Sequence, residues 1–205
     1  MIKGNFSGFA ERVGIRLGLF FSKIPLTPNQ WTVLSIVPAI FGFASLAYWR
    51  RMDYAIALFA ASALIDGIDG GVARVTGSVS TLGAYLDGMI DRIVEALLLF
   101  GLMFYGIPDY LVPNYFWIAL LLFAGTGITG YARAYADHRK VITDEKKLRK
   151  MGGLLERPER LILVFLGMVA SFWNPLYLTQ AIALASALAV VTVFQRMWFV
   201  VRNAE

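Results

Sequence analysis

Residues 66–95 read DGIDGGVARVTGSVSTLGAYLDGMIDRIVE, and they decide how the rest of the chain is folded. Four aspartates stand here inside stretches that are otherwise apolar or small. Asp66 and Asp69 are three apart and Asp87 and Asp91 four apart, so each pair shares one face of a helix. The link from Thr76 to Ser80 is too short for anything but a tight turn, which makes the two helices antiparallel neighbours. Four carboxylates from adjacent helices then converge near one end of a helical hairpin. Glycine and alanine surround them: Gly67, Gly70, Gly71 and Ala73 on the first helix, Gly83, Ala84 and Gly88 on the second. Small residues let helices approach closely, and they also clear a route along which a phosphate-bearing ligand can reach the acids.

Outside this stretch the composition is that of a membrane protein. Of 205 residues 58% are hydrophobic and only 16% charged, against roughly a quarter charged in soluble domains. Between Lys23 and Arg50 lie 26 uncharged residues, between Asp109 and Arg133 another 23, and between Arg160 and Arg196 a run of 35 interrupted by Asn174-Pro175. A helix needs about 20 apolar residues to cross the bilayer core, and proline disfavours helix in the residue before it, so the longest run supplies two spans. With the two aspartate-bearing helices the sequence predicts an all-α polytopic protein of six transmembrane helices, at about 24–49, 54–76, 80–107, 112–136, 156–173 and 176–199. All of 1–205 is read as one membrane domain. Residues 1–23 precede the spans with Phe6, Phe9, Val13, Leu17 and Phe20 at helical spacing and Arg12 and Arg16 elsewhere, the pattern of an interfacial amphipathic helix. No cleavable leader is expected, since no small-residue cleavage site follows the basic start.

The net charge of +5 reflects topology rather than nucleic-acid binding. Sixteen of the nineteen basic residues fall on the side that carries both termini, the 76–80 turn and the 133–160 segment; Arg50 and Arg51 lie opposite, and Arg92 is within a span. By the positive-inside rule that side is cytoplasmic, which puts the acidic end of the hairpin there too, in the cell membrane. Part of the same charge serves to attract anionic membrane lipids.

Zero cysteines and a single histidine, His138, exclude thiolate catalysis and every site that needs two imidazoles. Five acidic residues, Asp66, Asp69, Asp87, Asp91 and Glu95, sit in spans where a bare carboxylate costs a few kcal/mol, and only Arg74 and Arg92 are positioned to offset them. The fitting occupant is a hard, oxygen-liganded cation, Mg²⁺, Mn²⁺ or Ca²⁺, and four carboxylates are enough for two ions. Arg74, at the cytoplasmic mouth, either neutralises the acids or binds a phosphate. A proton or cation transporter is the reading from a different class, but the chain shows no internal repeat of the kind transporters carry. Glu95 and Arg92 read as a buried or interspan pair.

Taken as a string, Asp66-Gly67-x-Asp69-Gly70-x-x-Ala73-Arg74, eight residues, Gly83-x-x-x-Asp87-x-x-x-Asp91 resembles the signature of the CDP-alcohol phosphotransferases, with every fixed position filled. The interfacial helix, six spans and Pro28-Asn29-x-x-Thr32 at the start of the first span are similar to that family over essentially the whole length. The resemblance implies transfer of a substituted phosphate from a CDP-linked lipid to an acceptor hydroxyl, with release of CMP and two divalent cations, Mg²⁺ or Mn²⁺. It implies Asp66, Asp69, Asp87 and Asp91 as metal ligands, with Asp91 also the general base. The CDP donor is expected at Asn29, Gln30, Trp31, Thr32, Gly70, Ala73, Arg74, Ser80 and Gly83, and a homodimer is a common assembly of the family.

The acceptor is read from the basic segment. Gly130-Tyr131-Ala132-Arg133 and Gly152-Gly153-Leu154-Leu155-Glu156-Arg157-Pro158-Glu159-Arg160 look like the phosphatidylinositol phosphate and archaetidylinositol phosphate synthase branch, which implies that Arg133, Arg157 and Arg160 hold the phosphate of inositol phosphate. Tyr131 departs from that pattern, standing where a lysine is expected. Lys146, Lys147, Arg149 and Lys150 read as a solvated or lipid-facing loop. Alternatives with the same signature are di-myo-inositol phosphate phosphate synthesis from CDP-inositol, and glycerol-phosphate transfer.

Overall fold

The structure is a computed structural model and describes residues 14–204. Helix accounts for 78% of the described residues, among which no strand forms. The chain divides into two compact units, Met1–Gly101 and Leu102–Glu205.

In the first unit, α1 covers 14–21. Leu17 and Phe20 of the expected interfacial helix belong to it, whereas Phe6, Phe9 and Val13 lie outside the described residues. α2 (Pro28–Leu34) starts at a capping box: the Thr27 hydroxyl accepts from Gln30 N, and Gln30 Oε1 accepts from Thr27 N at 2.8 Å, with Pro28 pre-set for the first turn. The helix is interrupted at Ser35, and α3 (Ile36–Ala47) continues it. Pro38 lies in the first turn of α3 and has no N–H to donate. The Ser35 carbonyl accepts from Ser62 Oγ of α4 (Met52–Thr76) at 2.7 Å, a buried bond that ties the first span to the next. Gly42 of α3 faces the Phe59 ring so closely that a Cβ there would lie 2.8 Å from it. α4 ends on Gly77, whose φ of 66° supplies the left-handed turn after the helix. Ser80 then opens α5 (Thr81–Tyr105): its Oγ accepts from Gly83 N at 3.0 Å.

In the second unit the 107–114 loop is closed on itself. Asp109 Oδ1 accepts from Asn114 N at 2.8 Å, and Trp117 Nε1 donates to Tyr110 O at 2.8 Å. α6 (Asn114–Leu120) passes through a π-helical stretch, Leu121–Ile128, into α7 (Thr129–His138). α8 (Glu145–Lys150) is capped by Asp144; its Leu148 joins Ala136, Ile142 and Met151 in an apolar cluster, so this basic segment is anchored by its apolar side chains. α9 (Arg157–Ala170) and α10 (Leu176–Asn203) pack through Gly167, and α10 also meets α6 by Ser186 Oγ donating to Trp117 O at 2.9 Å.

Pro28–Ala47, Met52–Thr76, Asn114–His138 and Leu176–Asn203 are long and apolar enough to cross a membrane. Their outer faces carry large exposed apolar side chains, among them Phe41, Phe123, Phe194 and Trp198, as lipid-facing helices do. The other two expected spans differ. α5 has the length, 25 residues, but Asp87, Asp91, Arg92 and Glu95 interrupt its apolar character, and α9 has only 14 residues.

Candidate active site

The site in the first unit is built on the facing ends of α2, α4 and α5. Asp69 is the buried acid, 8% exposed; Asp66 and Asp87 are half-buried. Each offers a carboxylate oxygen, and the three oxygens lie within 4.8 Å of one another. Around an octahedral ion with ligands at about 2.1 Å, oxygens stand about 3 Å apart when adjacent and about 4.2 Å when opposite, so small carboxylate rotations bring these three onto one cation. All the donors are oxygens, which suits a hard divalent ion. Asp69 is held in place by two bonds: Thr32 Oγ1, 2% exposed, donates to its Oδ2, and Gly70 N donates to its Oδ1. Asp91 is half-buried one turn beyond Asp87 and is not part of the converging trio.

Beside the trio opens a cleft of about 360 Å³. Of the residues expected to meet the donor, Asn29, Thr32, Gly70, Ala73, Arg74, Ser80 and Gly83 line it, together with Asp69 and Asp87. Small residues form its floor. A Cβ on Gly83 would stand 3.1 Å from both Asn29 Oδ1 and Ser80 Oγ, so glycine keeps these two polar groups accessible. Pro28, Ser78, Val79 and Ala84 also line the cleft and were not anticipated from sequence, although the last three fall in the link and first turn between the two aspartate pairs. Gln30 and Trp31 do not line it. Gln30 closes the capping box on Thr27, and Trp31 is 6% exposed in a cluster with Ile68 and Val72, its ring edge-on to Phe21 at 5.4 Å.

Arg74 is exposed at the cleft, and α1 runs beside it: a Cβ on Gly14 would sit 2.9 Å from Arg74 Nη2. Gly18 and Gly71 meet backbone to backbone, a Cβ on Gly71 lying only 3.1 Å from Gly18 N.

In the second unit Arg133 is exposed on α7, Arg157 is half-buried at the start of α9, and Arg160 is 3% exposed. Gly125 of the π-helical stretch makes room for the Arg160 stem, since a Cβ there would fall 3.0 Å from its Cδ. Tyr131 stacks on Tyr135 with ring centroids 5.0 Å apart and planes at 16°. A polar group that the sequence did not suggest is Arg196 of α10, 7% exposed and paired with Glu156 at 2.7 Å.

The family model for CDP-alcohol phosphatidyltransferases matches residues 25–198. The archaetidylinositol phosphate synthase of Aeropyrum pernix is 36% identical over 199 residues, 95% of this chain and 93% of its own. Among solved structures, the phosphatidylinositol phosphate synthase of Mycobacterium tuberculosis with CDP-DAG bound superposes with a TM-score of 0.77 at 26% identity, over 92% of this chain and 94% of that one. The same synthase in complex with manganese and citrate gives 0.76 at 26% identity, over 91% and 88%. With its carboxylate trio beside a cleft lined by small and polar residues and a family match that runs through both units, the chain is an integral membrane enzyme belonging to the CDP-alcohol phosphatidyltransferase family.

Proposed function

We propose that this enzyme transfers a substituted phosphate from a CDP-linked lipid to a hydroxyl of inositol phosphate, releasing CMP. The observation that carries the reading is the convergence of Asp66, Asp69 and Asp87 at a cleft lined by Asn29, Arg74 and Ser80. A donor pyrophosphate needs cations on one side and a guanidinium on the other, and this arrangement offers places for both. The name of the Aeropyrum relative, and the CDP-DAG and manganese of the Mycobacterium structures, support the same donor, metal and acceptor class.

Asp66, Asp69 and Asp87 would hold divalent metal, two Mg²⁺ or Mn²⁺ ions with Asp91 as a further ligand. When bound, such ions supply charge for binding the pyrophosphate oxygens and for the CMP leaving group. The chain's own residues do the rest. Thr32 and Gly70 fix the orientation of Asp69. Arg74 neutralises donor phosphate, and Asn29, Ser80 and the bare floor at Gly70, Ala73 and Gly83 receive the nucleotide. Asp91 takes the proton from the acceptor hydroxyl as its oxygen bonds to the donor phosphorus and the bond from phosphorus to CMP oxygen breaks. Arg133, Arg157 and Arg160 supply charge-assisted bonds to the acceptor's phosphate.

In the membrane, α5 and α9 complete six spans with both termini and the site on the cytoplasmic side. Two of the acids that lower the apolar character of α5, Asp87 and Asp91, are those the chemistry requires, and α9, about 21 Å long, crosses together with the turn that follows it. The whole chain acts as one domain and is read as a homodimer.

The test is an acceptor panel with purified protein and CDP-lipid, scoring CMP for inositol phosphate, glycerol 3-phosphate, free inositol and serine. Inositol phosphate should give the highest kcat/KM. A preference for free inositol or serine would sink the acceptor assignment, and no CMP with any acceptor would favour cation transport at the aspartates.

A further inference from the structure

α10 presents a short row of polar side chains to the segment that leads into α9. Leu155 N donates to Thr192 Oγ1 at 2.9 Å, and Leu154 N donates to Gln195 Oε1 at 2.8 Å. One residue further on, Glu156 Oε2 pairs with Arg196 Nη2 at 2.7 Å, while Arg196 Nη1 donates to Thr129 O. Thr192 is fully buried and Gln195 is exposed. The approach is as close as the backbone allows, because a Cβ on Gly153 would collide with the Thr192 side chain.

These contacts fall just before the arginines of the basic segment. Glu156 immediately precedes Arg157, and Thr129 lies one helical turn before Arg133. Two successive backbone N–H groups received by side chains of another helix fix a non-helical segment in a single register; the Leu155 N–H is buried and would cost a desolvation penalty without its partner, and the exposed Leu154 bond adds to the same register. The ion pair adds direction more than stability, since burying two charges offsets much of their attraction.

We propose that Thr192 and Gln195 are positioning residues that set the enzyme's affinity for its phosphorylated acceptor. They touch neither substrate. Acting with the Arg196–Glu156 pair, they hold the 152–156 segment on α10 and so aim Arg157 at the start of α9. This rests on the acceptor reading of Arg157 given above.

The experiment is steady-state kinetics on the purified full chain with CDP-lipid and inositol phosphate, for Thr192→Val, Gln195→Leu, Thr192→Ser and Arg157→Ala. Thr192→Val should raise the acceptor KM by about tenfold, the scale of one lost buried hydrogen bond, and Gln195→Leu, whose bond to Leu154 N is exposed, by about threefold, the low end of that scale. The donor KM and kcat should stay within about twofold, and Thr192→Ser, which keeps the hydroxyl, should restore the acceptor KM. Donor and acceptor KM rising together, or kcat alone falling, would overturn the proposal by giving these residues a general structural role. Should Thr192→Val fail to fold in detergent, the exposed Gln195→Leu decides the matter by the same criteria. Arg157→Ala separates the two claims. A raised acceptor KM there with wild-type values in Thr192→Val and Gln195→Leu overturns the positioning role alone. An unchanged acceptor KM in Arg157→Ala overturns the acceptor reading and the positioning role with it.

Discussion

Replacing Thr32 by valine removes one oxygen from the site and almost nothing else. The two side chains have nearly the same shape, so the neighbouring packing of Trp31, Ile68 and Val72 keeps its volume. What is lost is the bond from Thr32 Oγ1 to Asp69 Oδ2; Pro28 O, 3.1 Å from the same oxygen, is a competing acceptor for its single proton. Thr32 is 2% exposed and Asp69 8%, so water is poorly placed to take over the donor's role. A hydrogen bond to a buried carboxylate is worth roughly 1.5–3 kcal/mol, which is about ten- to a hundredfold in an equilibrium constant. That is also the usual effect of removing a group that orients a metal ligand. The expected outcome is therefore a ten- to hundredfold rise in the Mg²⁺ or Mn²⁺ concentration for half-maximal CMP release, with activity at saturating metal largely regained. Thr32→Ser should stay near wild type. The assay is a metal titration on protein stripped with EDTA, with thermal unfolding in detergent as a check on folding. A wild-type metal requirement in folded Thr32→Val would refute the idea that this hydroxyl prepares Asp69 for a cation.

Further outcomes are expected elsewhere. EDTA should abolish CMP release and added Mg²⁺ or Mn²⁺ restore it, and Asp66→Asn, Asp69→Asn and Asp87→Asn should each reduce turnover to background; substantial activity in two of the three would remove the metal assignment. Asp91→Asn should lose turnover yet still bind CDP-lipid in the presence of metal, as measured by titration calorimetry, and parallel loss of binding would make Asp91 chiefly a ligand. A cysteine at Lys147 should react with an impermeant reagent only from the cytoplasmic side and one at Tyr110 only from outside; reversed labelling would overturn the orientation. Gly167→Val puts carbon where Ala181 Cβ is already 2.6 Å from a built Cβ, and should lower stability by about 1–3 kcal/mol, read as a lowered midpoint of thermal unfolding.

The aspartate-bearing hairpin was legible because a helix converts spacing into a shared face, and a five-residue link leaves no choice but an antiparallel return. Spacing says less about depth. Four residues advance a helix by about 6 Å, so Asp87 and Asp91 share a face while only Asp87 joins Asp66 and Asp69. At the start of α2 the same geometry sends Asn29 and Thr32 to the cleft and turns Trp31 into the apolar cluster. Gln30, expected at the donor, is instead taken up by the capping box with Thr27. Arg196 was hidden for a different reason: its partners Glu156 and Thr129 are 40 and 67 residues away, and no local pattern reports a contact over that distance. The π-helical stretch left no mark on the sequence beyond Gly125 and Gly127, which a membrane helix contains in any case.

Gly67, Gly70 and Gly71 look alike when written out, yet the structure gives them three unrelated jobs. A methyl group on Gly67 would meet no atom within 4 Å among the described residues; one on Gly70 would lie 3.6 Å from the Arg74 guanidinium, in the cleft; one on Gly71 would drive into the backbone of α1 at Gly14 and Gly18. An alanine scan through residues 66–74 would thus mix losses of different physical origin. Loss of activity at Asp69 would speak of charge and loss at Gly70 of room for the ligand. Loss at Gly71 would report only that a surface helix had been prised off its seat, a mechanical failure that a kinetic assay alone would mistake for a chemical one.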